Sequence, residues 1–168
     1  YREELEQRRK VLGEKHPDTL ASQFGLANAV HKLNRPQEAE KLYRDVVENG
    51  RATIGAEAPW FLTCLSNFAI TLVELGRPVE GEPLHQEVLA IRTRIKGAAD
   101  PDTLDSVMNL AHCIAAQGRL AEAEKLHRQA IETRRRVQGA EHDRTLLHML
   151  ELINVIQDQK RLAAAARL

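Results

Sequence analysis

The stretch DPDTLDSVMNLAHCIAAQGRLAEAEKLHRQAIETRRRVQG, residues 100–139, reads as two helices with punctuation at each boundary. Pro101 opens the first, where a missing N–H costs nothing and the fixed φ is already helical. Leu104, Val107, Leu110, Ala111 and Ile114 then fall on one stripe at helical spacing. Gln117-Gly118-Arg119 ends that helix, with Gly118 suited to a left-handed turn. The second helix starts near Leu120, carries Ala123, Leu126, Ala130 and Ile131 inward, and stops at Gly139.

Working outward, the same hairpin recurs at a fixed period. Gly13, Gly55, Gly97 and Gly139 stand 42 residues apart, as do Leu20, Leu62, Leu104 and Leu146. Two further columns keep the register: Arg35, Arg77, Arg119 and Arg161, and Leu42, Leu84, Leu126 and Leu168. Pro17, Pro59 and Pro101 form a partial column that Asp143 breaks, and Ala27, Ala69 and Ala111 one that Ile153 breaks. This pattern predicts helices over 1–12, 17–33, 36–53, 59–75, 78–95, 101–117, 120–137, 143–159 and 161–168, with no strand. Pro83 lies about a turn inside the fifth, where a lost hydrogen bond predicts a late start or a kink.

A single hairpin cannot cover its own apolar stripe, so each is expected to bury it against its neighbours. Small residues mark the closest approaches: Ala27, Ala69 and Ala111 on first helices, and Ala39, Gly81 and Ala123 on second helices. The expected fold is all-α, a right-handed α-α superhelix, or solenoid, of tandem helix-turn-helix units forming one domain over 1–168. Residues 1–12 and 161–168 each look like part of a second helix, so the chain reads as four units from a longer array.

Composition narrows the function. Of the 168 residues, 43% are hydrophobic and 29% charged, enough for a real core. The 24 Lys and Arg equal the 24 Asp and Glu, which removes a global electrostatic argument for nucleic acid or an anionic membrane. Cys64 and Cys113 sit in apolar helical surroundings, pointing to reduced thiols and a cytoplasmic setting. No signal sequence or spanning segment is visible, although the chain opens with Tyr rather than Met. No phosphate-cradling loop, nucleophile elbow or HExxH pattern occurs, so neither an enzyme nor a cofactor or metal is expected. The seven histidines form no ligand cluster, and His85 and His127 occupy the column of Tyr1 and Tyr43.

The segments LGEKHPDTL (12–20), DPDTLDSVMNLA (100–111) and GRLAEAEKLHRQAIETRRRVQG (118–139) resemble the 42-residue tetratricopeptide repeats of kinesin light chain and its relatives. The period also admits armadillo or HEAT repeats, but the small-residue columns and the Gly-Arg turn favour the tetratricopeptide resemblance. It implies a protein-interaction scaffold with a concave groove, lined by the first helices, that binds a peptide segment of a partner. Carried over by position, the groove would be lined by Ala21, Phe24, Asn28, His31 and Lys32, then Thr63, Ser66, Asn67, Ile70, Val73 and Glu74. The third unit would add Asp105, Met108, Asn109, His112, Ala115 and Ala116, and the fourth Leu147, Leu150, Asn154, Gln157 and Asp158. Where the family carries paired asparagines, only the second remains, as Asn67 and Asn109, so the family's acidic, tryptophan-bearing cargo motif does not transfer directly.

Lys32 against Glu74, Asp105 and Asp158 makes this surface mildly acidic, which predicts a partner segment of neutral to slightly basic character. Basic residues gather at the ends of second helices: Arg8, Arg9, Lys10; Arg92, Arg94, Lys96; Arg134, Arg135, Arg136. Compensation of the helix dipole accounts for them, with a ladder for RNA or an acidic partner as the disfavoured alternative. Self-association end to end, or a regulatory role within a larger protein, stands beside the peptide-binding expectation. Trp60 and Phe61 replace the Asp-Thr that follows proline in the first and third units, and are expected either to pack over the preceding connection or to form an interface.

Overall fold

The computed structural model describes the backbone of residues 2–165 and the side chains of 3–164. Eight helices occupy the described residues, with no strand: α1 (Arg2–Leu12), α2 (Pro17–Lys32), α3 (Pro36–Gly50), α4 (Pro59–Glu74), α5 (Pro78–Lys96), α6 (Pro101–Ala116), α7 (Leu120–Gln138) and α8 (Asp143–Ala165). The all-α class and seven of the helices fall where the sequence puts them. Tyr1 and Leu168, which begin or end two of the columns, lie outside the described residues.

The boundaries follow from local chemistry. Proline stands at the start of α2, α4 and α6, preceded by an N-cap residue. Asp100 accepts from the Asp102 and Thr103 amides at 2.9 and 3.3 Å, and His16 Nδ1 accepts from the Asp18 amide at 3.2 Å. Each hairpin turn repeats one motif. Asn34, Gly76 and Gly118 hold φ of +58°, +74° and +79°. The next residue's amide bonds five residues back: Arg35 to Val30, Arg77 to Leu72 and Arg119 to Ile114. Those arginines then clamp the acid three positions on, Arg77 to Glu80 at 2.6 and 2.7 Å and Arg119 to Glu122 at 2.7–3.0 Å.

The fourth unit departs from this. Where a turn and a separate helix over 161–168 were expected, α8 runs without a break through Ala165. Lys160 stands in the column of Asn34, Gly76 and Gly118, and a lysine resists the left-handed conformation that glycine and asparagine accept. Ala164 also stands where Glu38, Glu80 and Glu122 receive the clamping arginine. Pro83 likewise brings no late start, because α5 is helical from Pro78. Proline withholds the N–H that would bond the Val79 carbonyl, and Val79 is 71% exposed, so water can serve that carbonyl.

The helices pack as two units that divide within α5, one running to Leu84 and the other starting at His85. In unit 1, α1 packs on α2, α2 on α3 and α3 on α4, with α2 beside α4. The core holds Leu20, Val30, Tyr43, Val46, Leu62, Leu65 and Leu72. In unit 2, α6 packs on α7, α7 on α8, and α6 lies beside α8. Leu110, Ala111, Ile114, Ala123 and Val155 form its central cluster.

The small-residue columns do mark close approaches: Ala27, Ala39, Ala69, Ala111 and Ala123 have no exposed surface. A Cβ built on Gly81 would sit 2.9 Å from the backbone oxygen of Ala69. Backbone cannot yield as a side-chain tip does. Gly81→Val is therefore expected to lower unfolding stability by about 1 to 3 kcal/mol, read from a urea midpoint at unchanged slope; no loss would show a looser α4–α5 contact.

One column fails. Leu20, Leu62 and Leu104 are buried, but Leu146 is 50% exposed and Ile153 48%. Elsewhere a following second helix covers this side, as α3 covers α2 and α7 covers α6. Because α8 does not turn at Lys160, no such helix covers it among the described residues.

Candidate functional site

The face that α2 and α4 share in unit 1 gathers five of the expected residues around one hollow. A cavity of about 280 Å³ is lined by Asn28, His31, Lys32, Asn67 and Ile70, together with Tyr43 from α3. Helical spacing puts Asn28, His31 and Lys32 on adjacent turns of α2, while Asn67 and Ile70 meet them from α4.

A polar network fixes the floor. The Tyr43 hydroxyl donates to Asn28 Oδ1 at 2.7 Å, and Asn67 Nδ2 donates to the same oxygen at 2.9 Å. Burial pushes the Tyr43 phenol up to about 12, so it remains a donor at neutral pH. With Asn28 Oδ1 engaged twice, Asn28 Nδ2 offers a donor and Asn67 Oδ1 an acceptor, neither partnered among the described residues. On the rim, His31 Nε2 and Glu74 Oε2 are 2.8 Å apart. Lys32 is exposed and has no ion-pair partner among the described residues.

Aromatic side chains extend this face. Phe24 lies 6.0 Å from the Trp60 ring and 6.3 Å from Tyr43. Trp60 and Phe61 differ in burial. Phe61 is 1% exposed and packs over the end of α3, whereas Trp60 is half-buried beside Phe24. Tyr43 was legible only as a packing column. Its signal was the departure from histidine at 85 and 127, since a phenol reaches farther than an imidazole.

Other expected positions fare differently. Ser66 faces inward, 6% exposed, and does not line the face. Thr63 is exposed, and Ala21 and Val73 are half-buried. In unit 2, Met108, Asn109 and Ala115 on α6 are half-buried, while Ala116, His112, Leu147, Leu150, Asn154, Gln157 and Asp158 are exposed. Asp105 is not presented to a ligand: its carboxylate pairs with Arg134 at 2.7 Å and Arg144 at 3.4 Å.

Pairs with arginine lower the expected acidity of the face. Asp105 pairs with two arginines and Asp158 lies 3.6 Å from Arg161, whereas Glu74 has an imidazole, His31, beside it. The rim of the unit 1 hollow then carries one charge of each sign, Lys32 and Glu74.

The basic helix ends are largely engaged inside the molecule. Arg8 donates to the Asp18 carbonyl at 3.3 Å, and Arg92 to the Asp102 carbonyl and Ser106 at 3.2 and 2.9 Å. Arg134 has no exposed surface. The two cysteines are buried and in no disulfide, and burial pushes the Cys64 thiol up to about 12, which keeps it protonated and unreactive. No group of three or more metal-ligating side chains occurs among the described residues, nor does any helix there have the length and apolarity to cross a membrane.

A second hollow, of about 660 Å³, lies between α7 and α8, over Ile131, Met149, Leu152, Ile153 and Ile156 with Arg128, Arg135 and Arg136 at its edge. None of the expected site residues lines it. Ile153 is the register mate of Ala69, which in unit 1 is covered by Gly81 of α5.

Repeated hairpins with alanine-marked contacts and a polar face on the first helices define a tandem helical-repeat protein. A family model described as tetratricopeptide repeat matches residues 1–52 and 103–168, a second of the same description matches 61–102, and the chain belongs to the tetratricopeptide repeat family. It is similar to two crystal structures of a Podosopora anserina protein assigned to the kinesin light chains, with nearly identical TPR-like repeats. Each is 28% identical over 97% of this chain and 77% of that one, with TM-scores of 0.84 and 0.82. BtubC (BKLC) of P. vanneervenii, 21% identical with TM-score 0.78 over 99% of this chain and 68% of that one, shares the fold. No curated protein matches the chain.

Proposed function

We propose that this chain is a protein-interaction module that holds a peptide segment of a partner against the first-helix face, with the α2–α4 hollow as the principal contact. The carrying observation is the Asn28–Asn67 pair, which presents one unpartnered amide donor and one unpartnered acceptor. A peptide backbone offers the complementary carbonyl and N–H at every residue, so such a pair grips main chain without reading sequence. Selectivity then comes from the apolar flank of Phe24, Trp60 and Ile70, while Lys32 and Glu74, of opposite charge at the rim, favour a segment of low net charge with an apolar or aromatic anchor. The module reading extends to a non-catalytic role in a reducing, cytoplasmic setting, in keeping with two thiols outside any disulfide.

Peptides selected on the chain from a displayed random library provide the test. Asn67→Leu is expected to weaken them at least tenfold, about 1.4 kcal/mol, while leaving the melting temperature nearly unchanged. If selection returns no peptide, or the selected ones bind Asn67→Leu as well as the parent chain, the reading is wrong. A second reading, self-association, draws on the uncovered apolar side of α8 at Leu146 and Ile153; a mass that rises with concentration in light scattering would support it.

A further inference from the structure

The columns that place Tyr43 beside Cys64 in unit 1 place His127 and His148 together where α7 meets α8. Both imidazoles are fully buried, their rings 6.1 Å apart and edge to face. All four ring nitrogens are without a hydrogen-bond partner among the described residues. A buried imidazole in such a place is tolerable only while neutral, since a charge there has neither solvent nor acceptor.

The groups around the pair oppose a proton on balance. Arg134 of α7, which is itself buried, and Arg144 of α8 act on His148, while His112 of α6 acts on His127. Glu151 of α8 is the one carboxylate favouring charge on His127. Asp105 of α6 is already held by both arginines. Meanwhile α8 is lightly anchored: of its described side chains only Thr145, His148 and Val155 are buried.

We infer that the His127–His148 pair is an acid-sensitive latch, and that its protonation releases α8 from α7 while the rest of the chain stays folded. Once α8 opens, both imidazoles reach water and titrate near 6.5. In the closed state burial holds His148 at about 4 and His127 below its ordinary value. A closed-state value below the open-state value means that closure is at full strength above pH 6.5 and is progressively lost as pH falls toward 4. Each imidazole contributes a factor of up to about ten per pH unit in that window.

Amide hydrogen exchange on the intact chain between pH 7.5 and 5, corrected for intrinsic rates, reads the latch directly. Protection in α8 is expected to fall at least tenfold relative to α2, α3 and α4 between pH 6.5 and 5.5. His127→Tyr with His148→Cys, which copies the Tyr43–Cys64 junction, removes the selective loss. His148→Gln, closer in size, shrinks it if the double variant does not fold. His85, buried and also held at about 4, is retained in both variants, so any acid sensitivity it confers persists and separates from the latch. Protection in α8 that tracks α2–α4 across the range, or a selective loss undiminished in the variants that fold, overturns the inference.

Discussion

Asp105→Ala is expected to destabilise the chain by about 3 to 5 kcal/mol, the largest effect of any single exchange considered for this molecule. Arg134 has no exposed surface, and its guanidinium donates to Asp105 Oδ1 at 2.7 Å, Gln138 Oε1 at 2.8 Å and the Pro101 carbonyl at 3.2 Å. Removing the carboxylate strands a buried cation with neutral acceptors only, and Arg144 loses its partner as well. The penalty belongs to the orphaned charge rather than to the pair, so Asp105→Leu combined with Arg134→Met should recover much of it. Urea unfolding of the parent, the single and the double variants gives the comparison. A single variant within about 1 kcal/mol of the parent would mean that Arg134 reaches water by another route. Sequence position alone puts Asp105 among the binding residues, whereas its partners make it a residue of the fold.

Leu110→Ala follows, with an expected loss of about 2 to 5 kcal/mol. Leu110 is 6% exposed and packs with Ala111, Ile114, Ala123 and Val155, edged by Leu89, Leu120 and Leu126. Alanine at Leu110 leaves a void that helices already in contact through Ala111 and Ala123 cannot close. The matched control is Leu150→Ala on α8, 53% exposed, which should change stability by no more than about 0.5 kcal/mol. Equal losses from the two would mean that the apolar stripe and the first-helix face had been assigned to the wrong sides.

The fold was legible because its punctuation is local. A glycine at 13, 55, 97 and 139 takes positive φ at every occurrence, and a helix resumes four residues later. The misreading at 161 was legible too, for Lys160 in the column of Asn34, Gly76 and Gly118 removes the residue type on which the turn depends. Compensating exchanges are harder to see. Gly50 stands in the column of Arg8, Arg92 and Arg134, and Phe61 in that of Thr19, Thr103 and Thr145. Only the structure shows that a Cβ on Gly50 would meet the Phe61 ring at 2.8 Å, so the aromatic fills the space that arginine vacates.

The candidate site was half legible for a related reason. Spacing placed Asn28, His31, Lys32, Asn67 and Ile70 on one face, and they do surround one hollow. Its charge was not legible, because ion pairs join residues as far apart as Asp105 and Arg134, or Asp105 and Arg144. Counting acids along a face treats each as free, whereas Asp105 is neutralised across helices.

Backbone amide shifts of the labelled chain, titrated with a library-selected peptide, test most directly whether the first-helix face is the working surface. The largest changes are expected to cluster at Asn28, His31, Asn67 and Ile70 on α2 and α4, with α3 affected only near Tyr43. Changes centred instead on the basic ends of α1 and α7, or on the hollow between α7 and α8, would contradict it.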